Sequence, residues 1–490
     1  MNSAPKRRSL ETNFLRLGLN SVRAIFLILV TAVALQAQTF TTLVNFGGSK
    51  GDEPLHTSLV QGIDGELYGT TCFGGVHNYG TVFKITRRGL LKTLYDFDET
   101  HGSHPSGGLV LASDGKFYGT TADGGADGWG TVYSISPEGE LTSLHSFTFV
   151  DGQAPYGQLI QATNGDLYGT TAGGGASSSG TVFKMTLGGT LTSLYTFCAP
   201  GNCPSGSQPY AGLVEALDGN LYGTADTGGI VNNEECSGGC GVLYKVTPQG
   251  AYTTLYSFCS EGYYCTDGAV PLGPLVLGSD GNLYGTTAGG GVNNFGTVFK
   301  ITTTGQLTTL YNFAAGGGEG PTGGLIQATD GAFYGTTANG GGSACTDGCG
   351  TIFQMTSTGS LNTLHNFDMN DGQNPQAALL QATSGVFYGT TPLGGAHGDN
   401  GGTLFAMSTH LDPFVAFVHP FGGIGKEIGI LGQGFTGTTS VSLNATAASF
   451  RVVSDTFIEA TVPAGATTGY VTVTTPGGTL TSNVPFRVLP

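Results

Sequence analysis

The sequence predicts an all-β fold: a seven-bladed β-propeller closed by an N-terminal strand, followed by a small β-sandwich. Three observations carry this expectation. LYGTT or a near copy recurs seven times, its tyrosines (Tyr68, Tyr118, Tyr168, Tyr222, Tyr284, Tyr334 and Tyr388) spaced 50, 50, 54, 62, 50 and 54 residues apart. A fixed period of this size marks supersecondary units that cannot bury their apolar faces alone. Each period holds four short runs of alternating apolar and polar residues, and a copy of the fourth run precedes the first unit while the last unit lacks one.

Taken in order, residues 1–37 read as a secretory signal peptide. Lys6, Arg7, Arg8, Arg16 and Arg23 form a basic start, residues 24–35 an apolar run short for a bilayer span, and Ala37 a small residue at the cleavage point. An uncleaved anchor is the competing reading. The mature chain is expected to be secreted, periplasmic or on the cell surface, monomeric, and without a transmembrane segment.

Residues 38–410 are expected to form the propeller. In the first unit, residues 58–63 alternate as strand A, Asp64-Gly65 is a strong hairpin signal, and residues 66–72 alternate as strand B. After a glycine-rich loop, residues 81–86 make strand C, Arg88-Gly89 turns the chain, and residues 91–97 make strand D. The strand D signature, leucine followed three residues later by phenylalanine, also appears at Leu43/Phe46 before the first strand A. Pairing that strand with the last strand C closes the ring and removes both sheet edges, whereas a solenoid needs polar caps.

The turn aspartates (Asp64, Asp114, Asp218, Asp280, Asp330) could suggest a ring of carboxylates. Asn164 and Ser384 fill the same place in two units, which a turn tolerates and a carboxylate mechanism does not. The seven tyrosines are expected to pack between blades.

In such a meander the A–B and C–D turns share one rim, and the B–C and D–A loops share the other. The length variation and eight of the nine cysteines fall in the second set, as close pairs: Cys198/Cys203, Cys236/Cys240, Cys259/Cys265 and Cys345/Cys349. In an exported chain these are expected to be local disulfides stapling long loops, with exchange between neighbouring loops open and zinc a competing reading. Cys72 is left over as a buried thiol. Tyr79, Trp129 and Phe295 precede strand C on this looped rim, and Tyr263 and Tyr264 lie in a cysteine-bracketed loop. These five are the ligand-binding candidates, suited to sugar stacking or a protein partner. Lids over the blade ends are the alternative use for them.

Composition removes several classes. The net charge is −16, and the basic start carries a disproportionate share of the cations, so the remainder repels phosphate backbones and no nucleic acid partner is expected. Eighty-six glycines without a three-residue period argue against a collagen-like chain. No G-x-S-x-G, H-E-x-x-H, P-loop or EF-hand motif is present, and no cofactor is expected. His77 and His397, in corresponding B–C loops, are weak metal candidates. Gln61, Gln161, Glu215, Gln327 and Gln381 are expected on strand A facing the channel. Glu215 is the one carboxylate among them and a weak catalytic candidate, because most glycosidases use a pair.

From residue 411 the repeat stops, and short runs at 427–431, 440–443, 457–462, 469–474 and 484–488 predict the sandwich. The run HPFGGIGKEIGILGQGF with SDTFIEATVPAGATTGYVTVTTPGG resembles IPT/TIG immunoglobulin-like domains over residues 411–490. The resemblance implies an interaction or spacer module without catalytic residues. The runs DGNLYGTT, GTVFK and TLYNF resemble the bacterial GloVer tandem repeat of choice-of-anchor proteins over residues 40–409. That resemblance implies export and surface display and no settled activity. The terminal FRVLP departs from it, lacking the apolar helix and basic tail of a sorting anchor. The expected function is non-catalytic binding of an extracellular glycan or protein through the looped rim. A propeller polysaccharide lyase or hydrolase acting at the channel mouth is the alternative.

Overall fold

The computed structural model describes residues 38–198, 203–229, 236, 238–260, 265–397 and 401–489. The expected signal peptide, Tyr263 and Tyr264 lie outside them. Apart from a 3-10 turn at Gly48–Lys50, every regular element is a strand, and no helix among the described residues is long and apolar enough to cross a membrane.

In the repeat region the described residues form seven four-stranded antiparallel sheets. In the first, strands A to D are Val60–Gln61, Leu67–Thr71, Thr81–Ile85 and Leu91–Asp96. In the last, Thr39–Asn45 takes the outer place beside Thr403–Ser408. Strand A is two residues long, not six. The carbonyls ahead of it face the neighbouring unit instead, accepting hydrogen bonds from strand B threonines: Thr170 Oγ1 donates to Ala211 O at 2.9 Å, and Thr286 Oγ1 to Gly323 O at 3.2 Å.

Sheets share cores with their neighbours. Tyr68, Val82 and Phe97 of the first pack with Leu109, Phe117 and Tyr133 of the second. Val44, Phe46, Tyr388 and Leu404 pack with Leu59, Leu67 and Phe83, so the last sheet shares a core with the first in a propeller-like succession. The LYGTT tyrosines lie in these seams. Tyr68, Tyr284 and Tyr334 meet Phe117, Phe333 and Phe387 of the next unit at ring separations of 4.2, 4.1 and 4.3 Å. The glycine between tyrosine and threonine makes room for the cross-strand ring: a Cβ on Gly69 would stand 2.7 Å from Phe83 and 2.8 Å from Leu59.

The C-terminal region has two four-stranded sheets. One holds Ala416–Phe417, Glu427–Leu431, Phe450–Ser454 and Phe457–Thr461; the other Ser440–Leu443, Thr446–Ala447, Val471–Thr475 and Gly478–Thr481. They share a core that includes Ile430, Phe435, Val441, Ile458, Val473 and Phe486. This region sits on the short-turn rim. Thr456 Oγ1 donates to Ile63 O at 2.8 Å, and Arg87 to Gln433 Oε1 at 2.6 Å. Ala416, Val418 and Leu431 face inner-strand residues Val60, Leu111 and Leu380 across a cavity of about 250 Å³. The C-terminal region thus packs against strand A residues of the first, second and last units.

Candidate functional site

The short-turn rim is occupied by repeated scaffold chemistry. Asp64 Oδ1 accepts the Glu66 amide at 3.1 Å while its Oδ2 accepts the Tyr68 hydroxyl at 2.7 Å. The same tyrosine bond recurs at Asp114, Asp218, Asp280 and Asp330, and at Asn164 the amide donates to Tyr168. Each turn aspartate anchors a buried phenol, which explains why asparagine serves as well.

The polar strand A residues do not point free into the channel. Gln61 accepts the Thr383 amide at 2.9 Å and donates to its hydroxyl at 3.0 Å, tying the first unit to the last. Gln161 and Gln381 make the same pair of bonds to Ser113 and Thr329, and Gln327 accepts the Ser279 amide. Glu215 is the acidic version: Oε2 accepts the Thr163 amide at 2.8 Å and Oε1 its hydroxyl at 2.6 Å. Both oxygens are committed to the neighbouring sheet, which gives Glu215 the positioning geometry of the glutamines.

The looped rim is built by a segment that sequence reading passed over, G-x-x-P-x-x-x-L ahead of strand A. It occupies 102–109, 152–159, 206–213, 268–275, 318–325 and 372–379, and 51–59 with one extra residue. The residue before each proline has positive φ: Glu53, His104, Ala154, Gln208, Val270, Gly320 and Asn374 lie between 49° and 61°. Non-glycine residues avoid this region, and a following proline restricts them further. The strain is held by hydrogen bonds from their amides to the preceding unit. His104, Ala154 and Gly320 donate to Tyr79 O, Trp129 O and Phe295 O at 2.9, 3.2 and 3.0 Å.

Those acceptors are the candidate aromatics, so their backbones anchor the D–A loops. Their rings are half-buried: Trp129 packs edge-on to Phe149 at 5.5 Å, Phe295 lies against the core of its unit, and the Tyr79 hydroxyl donates to Glu99 at 3.1 Å.

What varies on this rim is the residue after the proline and the residue after strand B. Tyr156 and Tyr210 follow prolines in adjacent units, half-buried, with ring centroids 5.4 Å apart. Asp226 and Cys72 follow strand B where four units have alanine and one has proline. Asp226 Oδ1 is buried without a hydrogen-bond partner among the described residues. Burial pushes its carboxyl up to about 7, against the opposing pull of hydrogen bonds from Thr227 and its own amide. The Tyr210 phenol is raised by burial and then by Asp226; that of Tyr156 by burial, with Asp123, Tyr210 and Cys72 adding. Asp123 in turn pairs with His104 Nδ1 at 3.1 Å. Burial pushes the Cys72 thiol up to about 12, and its sulfur lies 3.8 Å from Ser106 Oγ. Tyr156 meets Tyr210 and Asp123 meets His104 directly, while the Asp226 charge adds to the raising of the Tyr210 phenol. Lining up the seven units column by column exposes Asp226 and the tyrosines as departures, a comparison that looking for motifs in single units does not make.

Each cysteine pair forms a local disulfide: Cys198–Cys203, Cys236–Cys240, Cys259–Cys265 and Cys345–Cys349. His77 and His397 are exposed, and neither joins a group of three possible ligands among the described residues.

The Gloeobacter/Verrucomicrobia repeat model matches residues 29–236 and 230–447, and an IPT/TIG domain model matches 413–488. None of the curated proteins compared matches the sequence. Among solved structures, the chain is similar to a fungal alcohol oxidase of the AA5 family in complex with copper, at 14% identity and a TM-score of 0.53, covering 93% of this chain and 100% of that one. A putative 6-phosphogluconolactonase from Bacteroides uniformis has 17% identity and a TM-score of 0.45, covering 66% and 89%. A gluconolactonase from Xanthomonas campestris has 10% and 0.39, covering 77% and 92%. At these identities only the oxidase bears on the fold, and none bears on activity.

Proposed function

We propose, for a chain that belongs to the Gloeobacter/Verrucomicrobia repeat family and carries an IPT/TIG domain, the role of a non-catalytic binding protein of the cell exterior. In this reading residues 1–37 are a signal peptide, 38–410 a monomeric seven-bladed propeller closed by its N-terminal strand, and 411–490 an immunoglobulin-like sandwich. The mature protein is secreted, periplasmic or displayed on the surface, and takes a glycan or protein at the looped rim.

The observation that carries the reading is the Tyr156/Tyr210 pair, half-buried in two successive D–A loops with ring centroids 5.4 Å apart. Paired half-exposed rings beside hydrogen-bonding groups suit the apolar face and hydroxyls of a sugar, and tyrosine is enriched where proteins dock. The test is a glycan array probed with the mature protein and with Tyr156→Ala/Tyr210→Ala. Retention of a glycan by the wild type and its loss in the double variant, with thermal unfolding little changed, is the expected result. Equal retention by both removes the mouth as the site.

One observation favours the lyase or hydrolase reading: a carboxyl raised to about 7 beside a tyrosine is poised for proton transfer near neutral pH. New reducing ends released from a polysaccharide panel by the wild type, and abolished in Asp226→Asn, would install the enzyme reading in place of ours.

A further inference from the structure

Unit four alone carries cysteine pairs in both its B–C loop and its following D–A loop, and the structure brings them together. Cys240 Sγ lies 3.6 Å from Cys265 Sγ, and the sulfurs of Cys236, Cys240 and Cys265 all fall within 4.8 Å of one another. Cys240 and Cys265 are fully buried, Cys259 nearly so, and Cys236 is partly exposed. Cys345–Cys349 occupies the corresponding B–C loop of unit six, where the following D–A loop has no cysteine.

We propose that these four cysteines form a thiol–disulfide exchange site whose substrate is a dithiol, small or carried by an oxidoreductase, and whose product is a Cys240–Cys265 cross-link between the two loops. Cys236, the partly exposed member of the four, takes the first step. A dithiol's thiolate attacks Cys236 Sγ, forming a mixed disulfide and expelling Cys240 as a thiolate. That thiolate is released 3.6 Å from Cys265, attacks it, forms Cys240–Cys265 and expels Cys259, which takes up a proton. The reductant's second thiol then resolves the mixed disulfide, leaving Cys236 as a thiol and the reductant as a disulfide. Two electrons and two protons pass to the protein. Two thiols, on Cys236 and Cys259, stand where one disulfide has been lost.

Backbone geometry favours this direction. Cys259, the leaving residue, has a left-handed backbone, φ 64°, which a β-carbon disfavours. Expelling Cys259 releases that residue from its short disulfide loop, six residues from Cys265. The loop keeps other ties: Asp267 Oδ2 accepts the Ser260 amide at 3.0 Å and the Tyr256 hydroxyl at 2.7 Å. The two loops are also already joined, Val270 N donating to Cys240 O at 2.9 Å. The new cross-link would therefore lock the looped rim at the unit that carries Asp226 and Tyr210.

The experiment is limited reduction of the full-length protein with dithiothreitol, trapping with N-ethylmaleimide at acid pH, and peptide mapping by mass spectrometry. The expected result is alkylation of Cys236 and Cys259, loss of the Cys259–Cys265 peptide, and appearance of a Cys240–Cys265 peptide pair. Cys345 and Cys349, as the internal control, alkylate together. Alkylation of Cys236 and Cys240 with Cys259–Cys265 intact overturns the proposal. Cys236→Ser tests the second step without reductant: Cys240 found bonded to Cys265, with Cys259 alkylated, supports it, and an alkylated Cys240 overturns it. Stoichiometric zinc retained after reduction, shielding all four thiols from the reagent, also overturns it in favour of a metal site.

Discussion

The two rims are made from the same strands and obey different rules. On the short-turn rim, one device recurs in six of seven units: a turn aspartate or asparagine bonded to a tyrosine that is buried against the next sheet. On the looped rim the backbone recurs, down to a left-handed residue before proline in every unit, while the residues after the proline and after strand B change from unit to unit. Strain of this kind invites a functional reading. Here its sevenfold repetition assigns it to the scaffold, and chemistry falls to positions such as Asp226 that break the repeat.

The largest test of that contrast pairs two tyrosines. Tyr284 is buried in the seam between units, its ring 4.1 Å from that of Phe333 and its hydroxyl bonded to Asp280. Replacing it with alanine is expected to cost about 3–5 kcal/mol, read as a lower urea midpoint, because the seam cannot collapse around the lost ring. Tyr210 is half-buried at the mouth, and Tyr210→Ala is expected to cost less than about 2 kcal/mol while removing ligand binding. Equal losses of stability would break the contrast and make the mouth tyrosines scaffold.

A second test uses pH. The Asp226 carboxyl titrates near 7 in the folded protein, above its unfolded value, so the folded state holds the proton more tightly. Its contribution is fully present below pH 4 and is lost as pH rises through about 7, a swing on the order of 3 kcal/mol or less. Asp226→Asn is expected to leave the melting temperature unchanged at pH 4 and to raise it at pH 8. The same increment at both pH values would mean that desolvation of the charge is not what shifts this group.

What was legible in the sequence follows from which interactions are local in the chain. Strand order, the turn aspartates and the cysteine pairs involve residues within a few positions of one another, so period and turn chemistry reveal them. The pairing of Thr39–Asn45 with Thr403–Ser408 was legible too, because an unmatched strand at one end answers a missing strand at the other. The mouth was not. Tyr156 meets Tyr210 across a unit boundary, and Glu215 reaches Thr163 fifty-two residues earlier, contacts that alternation within one unit does not encode. Glu215 drew attention by its charge, yet its geometry matches the glutamines beside it. Asp226 carries the perturbed carboxyl and stood unremarked in an alanine column.

The smallest test concerns a flaw that the repeat tolerates. Five units place phenylalanine over the strand B glycine, whereas the second and fourth use Tyr133 and Tyr244, whose hydroxyls are buried and have no hydrogen-bond partner among the described residues. The Tyr133 oxygen lies 2.6 Å from where a Cβ on Gly119 would stand, so the phenol fills the space that the glycine leaves. Burial holds both phenols protonated, and a buried donor without an acceptor costs about 1–3 kcal/mol. Tyr133→Phe is therefore expected to raise stability by about 1 kcal/mol, visible as a higher urea midpoint with an unchanged slope. If the variant is less stable, the hydroxyl has a partner such as an enclosed water, and the position belongs with the functional departures of the looped rim. If it is more stable, the seam is a pure packing surface, and what the repeat varies there, unlike what it varies at the mouth, carries no function.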